Sequence, residues 1–570
     1  MLLELLLVTS VISLISLIGL ILFGKFGPMY LSMGYGLLSI IWGWLGPNQS
    51  SNQIRLFLIL SLALIIKWKY KFIFTKIKLE ARRKFSFVFL LNSILLIPAF
   101  FVNSLSSSLA ARLLSIGYDH YGHLGLFYRT LSTGGFEYSP FASNVTINSL
   151  AINGYPLLQS STWSLFLDLL GLRITNSVVL VKYFIYFEIL TLIFAVYLFV
   201  CTSLQHKKGS ISLKIVTPAL LVGAGLAFFS PLTNLIWQGF PPTFMGILTT
   251  YGTYLILLSN SKFSVQLAFT TVGLILTGYA YPIYVPIAAI PLLITLYQNY
   301  RSQQRVKYMK FSFAAFFTLA VFALPLISVS EVLPGYLFNF GGIEPPKVQY
   351  IALVLMLVIF VNITNFRVFN FNIGFYVSLL MGTSLTLYGY LTDTGYYYPL
   401  KILYLSLALG IGSLLNVMGA KPKSVFKKWR IDRISVGCVL ILVLASMFST
   451  MTPKYFANTS TIQVLGSAAF GSKCVSSEIA ETMRYPDFGL NNVFYVVRNE
   501  GSSSDVLTRW FNSLNGKNDD DVFSFAIPYG NSKNQDKFLE EFMASNPKFI
   551  LRIFDVIDEE SCQLKLYVSE

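Results

Sequence analysis

Three titratable side chains lie within five positions of the segment GYDHYGHLG, residues 117–125. Asp119 can accept a proton, and His120 and His123 can donate or accept one near neutral pH. The chain has only three histidines, and just ten carboxylates precede residue 452. Ionisable groups placed near a bilayer are costly and tend to mark a site. This segment is therefore the first candidate for chemistry.

The composition around this segment is that of a polytopic membrane protein. Of the 570 residues, 55% are hydrophobic, 16% aromatic and only 12% charged, unlike a soluble domain. A transmembrane helix needs roughly 20 apolar residues. The sequence therefore predicts an all-α polytopic membrane protein with about fourteen spans, near 3–23, 28–46, 55–66, 86–103, 176–203, 213–230, 242–259, 263–279, 281–298, 311–329, 350–365, 371–390, 399–418 and 434–451.

Four basic loops set the predicted orientation, because Lys and Arg near span ends are retained on the cytoplasmic side. These loops are 67–84, 206–214, 301–310 and 421–433. When fourteen spans cross the membrane in turn, all four loops lie on the same side. The N-terminus, the long loop 104–175 and the C-terminal tail then lie on the other side. We therefore expect GYDHYGHLG to face the extracytoplasmic space.

Two charged residues fall inside the fifth predicted span. Lys182 and Glu188 are six positions apart, so they do not share one face of a helix well. We interpret them as isolated structural charges.

The net charge of +16 is unevenly distributed. The tail after residue 452 carries eleven basic and sixteen acidic residues, so the positive excess belongs to the membrane part. Cytoplasmic retention and attraction to anionic headgroups account for that excess. We expect the lipid bilayer, and no nucleic acid, as a partner.

The tail has the pattern of a small soluble α/β domain. Apolar strand-like segments alternate with amphipathic helical ones, at 493–497, 505–514, 522–529, 535–544, 549–554 and 563–568. Cys474 and Cys562 lie in this tail and could pair on an oxidising face, which the sequence leaves open.

The chain thus divides into three parts. Residues 1–85 hold the first spans and a basic loop, 86–452 form the transmembrane core with the outer loop 104–175, and 453–570 form the extracytoplasmic domain. Loops as long as 104–175 are usually functional. Within it, the apolar and aromatic stretch 153–171 predicts an interfacial or re-entrant helix.

This arrangement resembles the glycosyltransferase C superfamily, polytopic enzymes that take sugars from polyprenyl phosphate carriers. In that superfamily the first large outer loop carries an acidic residue near the preceding span, and Asp119 occupies that place. The pairing of D-H-x-x-H with Tyr155, Pro156 and Trp163 looks like the bacterial arabinofuranosyltransferase branch. The segment YYYPLKILYL, 396–405, is similar to a segment before a late span of those enzymes.

The resemblance, which covers roughly 86–418, implies roles for several residues. Asp119 would be the general base for a direct displacement with inversion. Lys401 would neutralise the leaving phosphate, with Arg129 as a helper. His120 and His123 would hydrogen-bond the sugar or the phosphate. Further candidates for substrate binding are Tyr155, Trp237, Gln238, Glu331, Glu344, Asp393 and Tyr397.

Each candidate also has a plain structural interpretation. Asp119 could cap the following helix, and Lys401 could extend to the headgroups. Trp237 could belong to an interfacial aromatic belt, and the outer acids could be solvated.

The expected partners are a polyprenyl-phosphate sugar donor, a glycan or glycolipid acceptor of the cell envelope, and the bilayer. No cofactor is expected, and a divalent metal is disfavoured because superfamily members that hold one use paired acids, whereas Asp119 has no second acid nearby. The resemblance also favours a multi-pass protein of the plasma membrane. The N-terminus and the C-terminal domain would then be extracytoplasmic.

Other classes remain open. A transporter or a lipid or polysaccharide flippase would also have many spans, with its site near the bilayer midplane. A polysaccharide polymerase would use a polymer on a diphosphate carrier. An assembly protein would not need the D-H-x-x-H cluster.

Overall fold

The structure is a computed structural model, and it describes much of the chain before residue 420 and parts of the tail. The described residues are 1–45, 94–115, 120–136, 157–205, 213–259, 261–301, 348–364, 369–419, 488, 493–498, 510–515, 540, 544, 550–558 and 563–568.

Helices make up most of the described chain. In chain order they are α1 (Leu2–Phe23), α2 (Gly27–Leu45), α3 (Ile94–Ser104), α4 (Ser107–Ser115), α5 (His120–Thr133), α6 (Leu158–Leu169), α7 (Ser177–Ser203), α8 (Leu213–Phe229), α9 (Asn234–Trp237), α10 (Pro241–Leu257), α11 (Phe263–Ala280), α12 (Val285–Arg301), α13 (Val348–Thr364), α14 (Phe369–Leu391) and α15 (Tyr397–Gly419).

Four of the described helices are long and apolar enough to cross a membrane, namely α1, α7, α11 and α15. A fifth crossing results if α8 and the segment Pro231–Trp237, bent by 48°, are counted as one span. The protein is thus a mostly helical membrane protein, as predicted.

Ten of the predicted spans coincide with described helices: α1, α2, α7, α8 and α10 to α15. The predicted spans at 55–66, 311–329 and 434–451 lie outside the described residues, and α3 covers only the end of the span predicted at 86–103. The total of fourteen stays a prediction.

Helix α7 illustrates why these segments are helical. Its 27 residues contain no Gly or Pro, so at 1.5 Å per residue it extends about 40 Å, enough to cross a hydrocarbon core. The Asn176 side chain caps its start by accepting the Val179 N–H at 3.0 Å.

The core lies around α7 and α15. Within their apolar windows, 83% of α7 and 94% of α15 is buried, against 22% of α1. Helix α15 packs against α7, α10, α13 and α14. Polar groups on these two helices are therefore withdrawn from water and lipid, and each needs a partner.

In the tail, three strands form one sheet in the order β1 (Val493–Arg498), β2 (Ile550–Asp558) and β3 (Gln563–Val568). β1 and β2 are parallel, and β2 and β3 are antiparallel. Asn512, in a helical segment, both accepts from and donates to the backbone of Tyr495. The three strands lie where the sequence predicts them, although β2 runs four residues further.

The other elements predicted for the tail fall wholly or largely outside the described residues, as do Cys474 and Cys562. The fold of the whole tail stays a prediction.

Candidate functional site

Helix α5 begins at His120, whose side chain is fully buried. Its Nδ1 lies 2.9 Å from the carbonyl oxygen of Leu114 in α4. Its Nε2 lies 2.8 Å from the carbonyl oxygen of Ile236 in α9. Carbonyl oxygens only accept hydrogen bonds, so both ring nitrogens donate. This pair of contacts favours the doubly protonated imidazolium.

A carboxylate balances this charge. Oε1 of Glu188, in α7, lies 3.0 Å from Nε2 of His120, and both side chains are buried. Nε2 thus faces both the Ile236 carbonyl oxygen and the Glu188 carboxylate. No other donor among the described residues reaches the carboxylate. Burial lowers the pKa of His120, but the Glu188 charge and the hydrogen bonds outweigh it, so the pKa is raised.

The interpretation of Glu188 as an isolated charge is wrong. Its partner, His120, comes from another helix and lies 68 positions earlier in the sequence. Lys182 also has a partner, because its Nζ donates to the carbonyl oxygen of Asn103 at 3.2 Å.

Lys401 lies in a cage of four aromatic rings, the Lys401 cage. Its side chain is only 3% exposed although it carries an ammonium group. From Nζ, the ring centroids lie at 4.0 Å for Tyr397, 4.2 Å for Phe240, and 5.1 Å for both Tyr281 and Tyr398. Desolvated cation–π contacts contribute about 2 kcal/mol or more. Ring faces from three separate segments therefore hold this cation in place.

The neighbouring elements fix the backbone of Lys401 as well. The hydroxyl of Tyr284, in the short turn after α11, donates to the Lys401 carbonyl oxygen at 2.7 Å. Tyr397 is the first residue of α15, and one helical turn separates it from Lys401, which brings its ring next to the ammonium.

His123 lies one turn after His120 on α5 and is also buried. Burial, followed by the positive charges of His120 and Lys401, lowers the pKa of His123 to about 3. His123 is thus a neutral imidazole near two cations. It can donate one hydrogen bond and accept another.

A tight turn between α9 and α10 links His120 to the Lys401 cage. Gly239 adopts φ 94°, which favours glycine, and its N–H donates to the Ile236 carbonyl oxygen at 3.0 Å. That oxygen also accepts from His120. Phe240 follows and places its ring over Lys401. The five residues 236–240 therefore contact both His120 and Lys401.

Gln238 and Trp237 lie in the same turn and are both buried. Neither the amide nitrogen nor the amide oxygen of Gln238 has a hydrogen-bond partner among the described residues. A buried polar group without a partner costs about 1–3 kcal/mol. The Gln238 amide is thus suited to a polar ligand.

The remaining predicted residues are less closely grouped. Arg129 is half-buried on α5, nine residues after His120 and hence about 13 Å along the helix. Asp393 is exposed in the turn between α14 and α15. Four further residues lie outside the described part of the chain: Asp119, which is joined to His120 by a peptide bond, Tyr155, Glu331 and Glu344.

An apolar cavity of about 210 Å³ lies among α1, α2, α6, α7, α10 and α11. Its lining is dominated by aliphatic, methionine and aromatic side chains, with a few hydroxyls. Trp163 and Phe187 form one wall and stack on each other at 5.4 Å. Phe184 lies between Trp163 and the His120 ring, at 5.3 and 5.8 Å. The cavity therefore lies close to the anchored start of α5.

The tail contacts α5 directly. Trp510 packs edge-on against Tyr121 at 6.0 Å, and Phe488 packs against Tyr128 at 4.9 Å. The described parts of the tail therefore pack against α5.

Sequence reasoning missed Glu188, Phe240 and Tyr281. A carboxylate inside a span usually has a partner. The chain has only three histidines, so the number of possible histidine partners for Glu188 was small. The two rings gave no such signal, because nothing in their local sequence indicates a lysine from α15.

The site thus combines an anchored helix start, a caged lysine, a neutral histidine, a buried amide and an apolar cavity. No protein-family model matches the chain, and comparison with curated proteins and with solved structures finds no match.

Proposed function

We propose that the protein is a membrane glycosyltransferase that transfers a sugar from a polyprenyl-phosphate donor to a glycan or glycolipid of the cell envelope. One observation carries the proposal: the buried Lys401 lies near His123 on the helix that begins directly after Asp119. A cation, a neutral hydrogen-bonding ring and an adjacent carboxylate are the groups that displacement of a phosphate requires.

In the proposed reaction Asp119 accepts the proton of an acceptor hydroxyl. The hydroxyl oxygen forms a bond to the anomeric carbon, while the bond from that carbon to the phosphate oxygen breaks. The phosphate leaves with the bonding electron pair, and Lys401 stabilises its charge. A single displacement inverts the anomeric centre.

The lipid part of the donor is supported by the apolar cavity. A volume of about 210 Å³ with few polar groups in its wall suits a hydrocarbon chain better than water. The proposal therefore assigns the cavity to part of the isoprenoid chain.

The sugar is the proposed partner of Gln238. Its amide can donate to one hydroxyl and accept from another, which would satisfy both of its atoms. Trp237, Arg129, Tyr155, Glu331, Glu344 and Asp393 stay candidates for further sugar or acceptor contacts.

The test is sugar transfer by the purified protein in lipid nanodiscs, offered a panel of polyprenyl-phosphate sugars and an envelope glycolipid extract. Asp119→Asn should lower the rate by about 10²–10⁴-fold because it removes the general base. Glu540→Gln, which changes an exposed acid of the tail, is a control for adding one neutral amide. Equal rates for wild type and a folded Asp119→Asn variant would exclude Asp119 as the base.

One feature favours a second candidate, a transporter or flippase. Helix α8 and the segment Pro231–Trp237 form a span bent by 48°, and broken helices are common at transporter sites. Transfer in nanodiscs separates the two, because a transporter changes the location of its substrate and leaves its covalent structure intact. Recovery of the donor sugar unchanged, with uptake into vesicles, would favour the transporter.

A further inference from the structure

Glu188 lies near the middle of a helix long enough to cross the membrane. A buried carboxylate without a counter-charge is destabilising by several kcal/mol, and among the described residues its counter-charge is His120. The proposed chemistry does not use Glu188. Its effect must therefore pass through the histidine.

The His120 ring joins four helices. It belongs to α5 and contacts Leu114 of α4, Ile236 of α9 and Glu188 of α7. A neutral imidazole has one N–H, so one of the two carbonyl oxygens would face a nitrogen lone pair. The negative charge of Glu188 favours the doubly protonated ring. Both backbone contacts therefore depend on Glu188.

These two contacts control the placement of different parts of the site. The contact to Leu114 joins α4 to the start of α5, and the chain between them ends at Asp119. The contact to Ile236 fixes the turn that places Phe240 over Lys401. One ring thus links the start of α5 to the turn that packs against the lysine.

We infer that Glu188 is a positioning residue, which holds the His120 imidazolium and thereby fixes the start of α5, directly after Asp119 in the sequence, relative to the turn that packs on Lys401. The inference rests on the proposed function and deepens it. Glu188 contacts no substrate in this role. It keeps the start of α5 in register with the Lys401 cage.

The test compares Glu188→Gln with wild type in nanodiscs. The amide keeps the size of the side chain and removes its charge, so His120 loses the partner that keeps it doubly protonated. A misplacement of about 1 Å lowers turnover by on the order of 100-fold. We expect that loss mainly in kcat, with a smaller rise in the KM for the donor, because Gln238 lies in the turn that His120 fixes.

Two variants distinguish a positioning role of Glu188 from a general contribution to the stability of the fold. Glu188→Asp restores the charge and should recover a large part of kcat. In the double variant Glu188→Gln/His120→Gln, the loss should not exceed that of the worse single variant, because both act through one contact. Thr202→Val is the matched control: it removes a buried hydrogen bond of α7, to the Tyr251 hydroxyl, and should leave kcat unchanged.

A second readout requires no activity. Hydrogen exchange of peptides that cover 107–125 and 231–240 should become faster in Glu188→Gln and stay unchanged in Thr202→Val. Should Glu188→Gln fail to fold, Glu188→Asp gives the same readouts with smaller expected changes.

The outcomes distinguish the two proposals. If wild type transfers sugar and a folded Glu188→Gln variant keeps its kcat, the positioning role is wrong and the proposed function stands. If wild type transfers nothing from any donor, the proposed function falls. In that case faster exchange at both peptides supports the anchoring by Glu188, and unchanged exchange overturns it.

Discussion

His120 and His123 lie one helical turn apart and differ in charge. His120 is doubly protonated, and His123 is neutral. Around His120, a carboxylate and two carbonyl oxygens accept from the ring. Around His123, burial and two cations keep the ring neutral. The first region, the anchor, consists of His120 with Glu188, Leu114 and Ile236. The second, the caged region, consists of His123 and Lys401 with the four rings.

The difference between the regions lies in how a buried charge is stabilised. In the anchor, Glu188 cancels the charge of His120, which suits a group that holds helices together. In the caged region, ring faces stabilise the Lys401 cation without carrying a net charge of their own. We therefore expect changes in the anchor to act through alignment, and changes in the caged region to act on a bound anion.

Among the changes that compare the two regions, the largest effect is expected from Lys401→Met, which removes the cation of the caged region. Methionine packs well against aromatic rings, so the thermal midpoint should change little. Sugar transfer should fall by about 10²–10³-fold, since one group that stabilises developing charge is lost. Lys182→Met is the control, because it removes a lysine of α7 whose partner is the Asn103 carbonyl oxygen and which lies outside the cage. Similar losses in both variants would mean that Lys401 has no special role.

A smaller effect is expected from Phe240→Leu, which removes one ring of the cage and keeps Lys401. The loss of one cation–π contact, about 1–2 kcal/mol, should lower transfer by roughly tenfold. Phe244→Leu, one turn further along α10 and equally buried, is the control. A normal rate in Phe240→Leu would show that the cage does not orient the lysine.

The smallest effect is expected in the pH dependence of stability. The unfolded chain protonates His123 near pH 6.5, whereas the folded protein does so only near pH 3. The contribution of His123 to the free energy of unfolding is thus present above pH 6.5 and is lost as the pH falls. His120 acts in the opposite direction, because its pKa is raised: its contribution is present below pH 6.5 and lost as the pH rises.

Thermal midpoints between pH 5.5 and 8.5 test this contrast. His123→Gln should flatten the acid side by up to about 1.4 kcal/mol per pH unit, the limit for one proton. His120→Gln should flatten the alkaline side. If both variants changed the same side of the pH profile, the assignment of a charged His120 and a neutral His123 would be wrong.

The sequence predicted the helical membrane class and the positions of ten helices because apolar length is a local signal. Tyr397 and Lys401, which the sequence names as separate candidates, contact each other because they are one helical turn apart. Grouping His123 with Lys401 depended on a resemblance, and the structure brings them within electrostatic range.

The remaining features depend on tertiary packing. The spacing of Lys182 and Glu188 describes one helix only, so it could not identify His120 as the partner. The cage draws Phe240, Tyr281 and Lys401 from three segments that are far apart in the sequence. No periodicity links such positions.

The turn at Gly239 has a consequence for engineering. Its two ends contact the anchor at Ile236 and the caged region at Phe240. A transplant of α5 or α15 alone into another scaffold would separate the paired contacts. The smallest portable unit of this site is therefore the five-residue turn 236–240 together with the one residue that each end touches, His120 and Lys401.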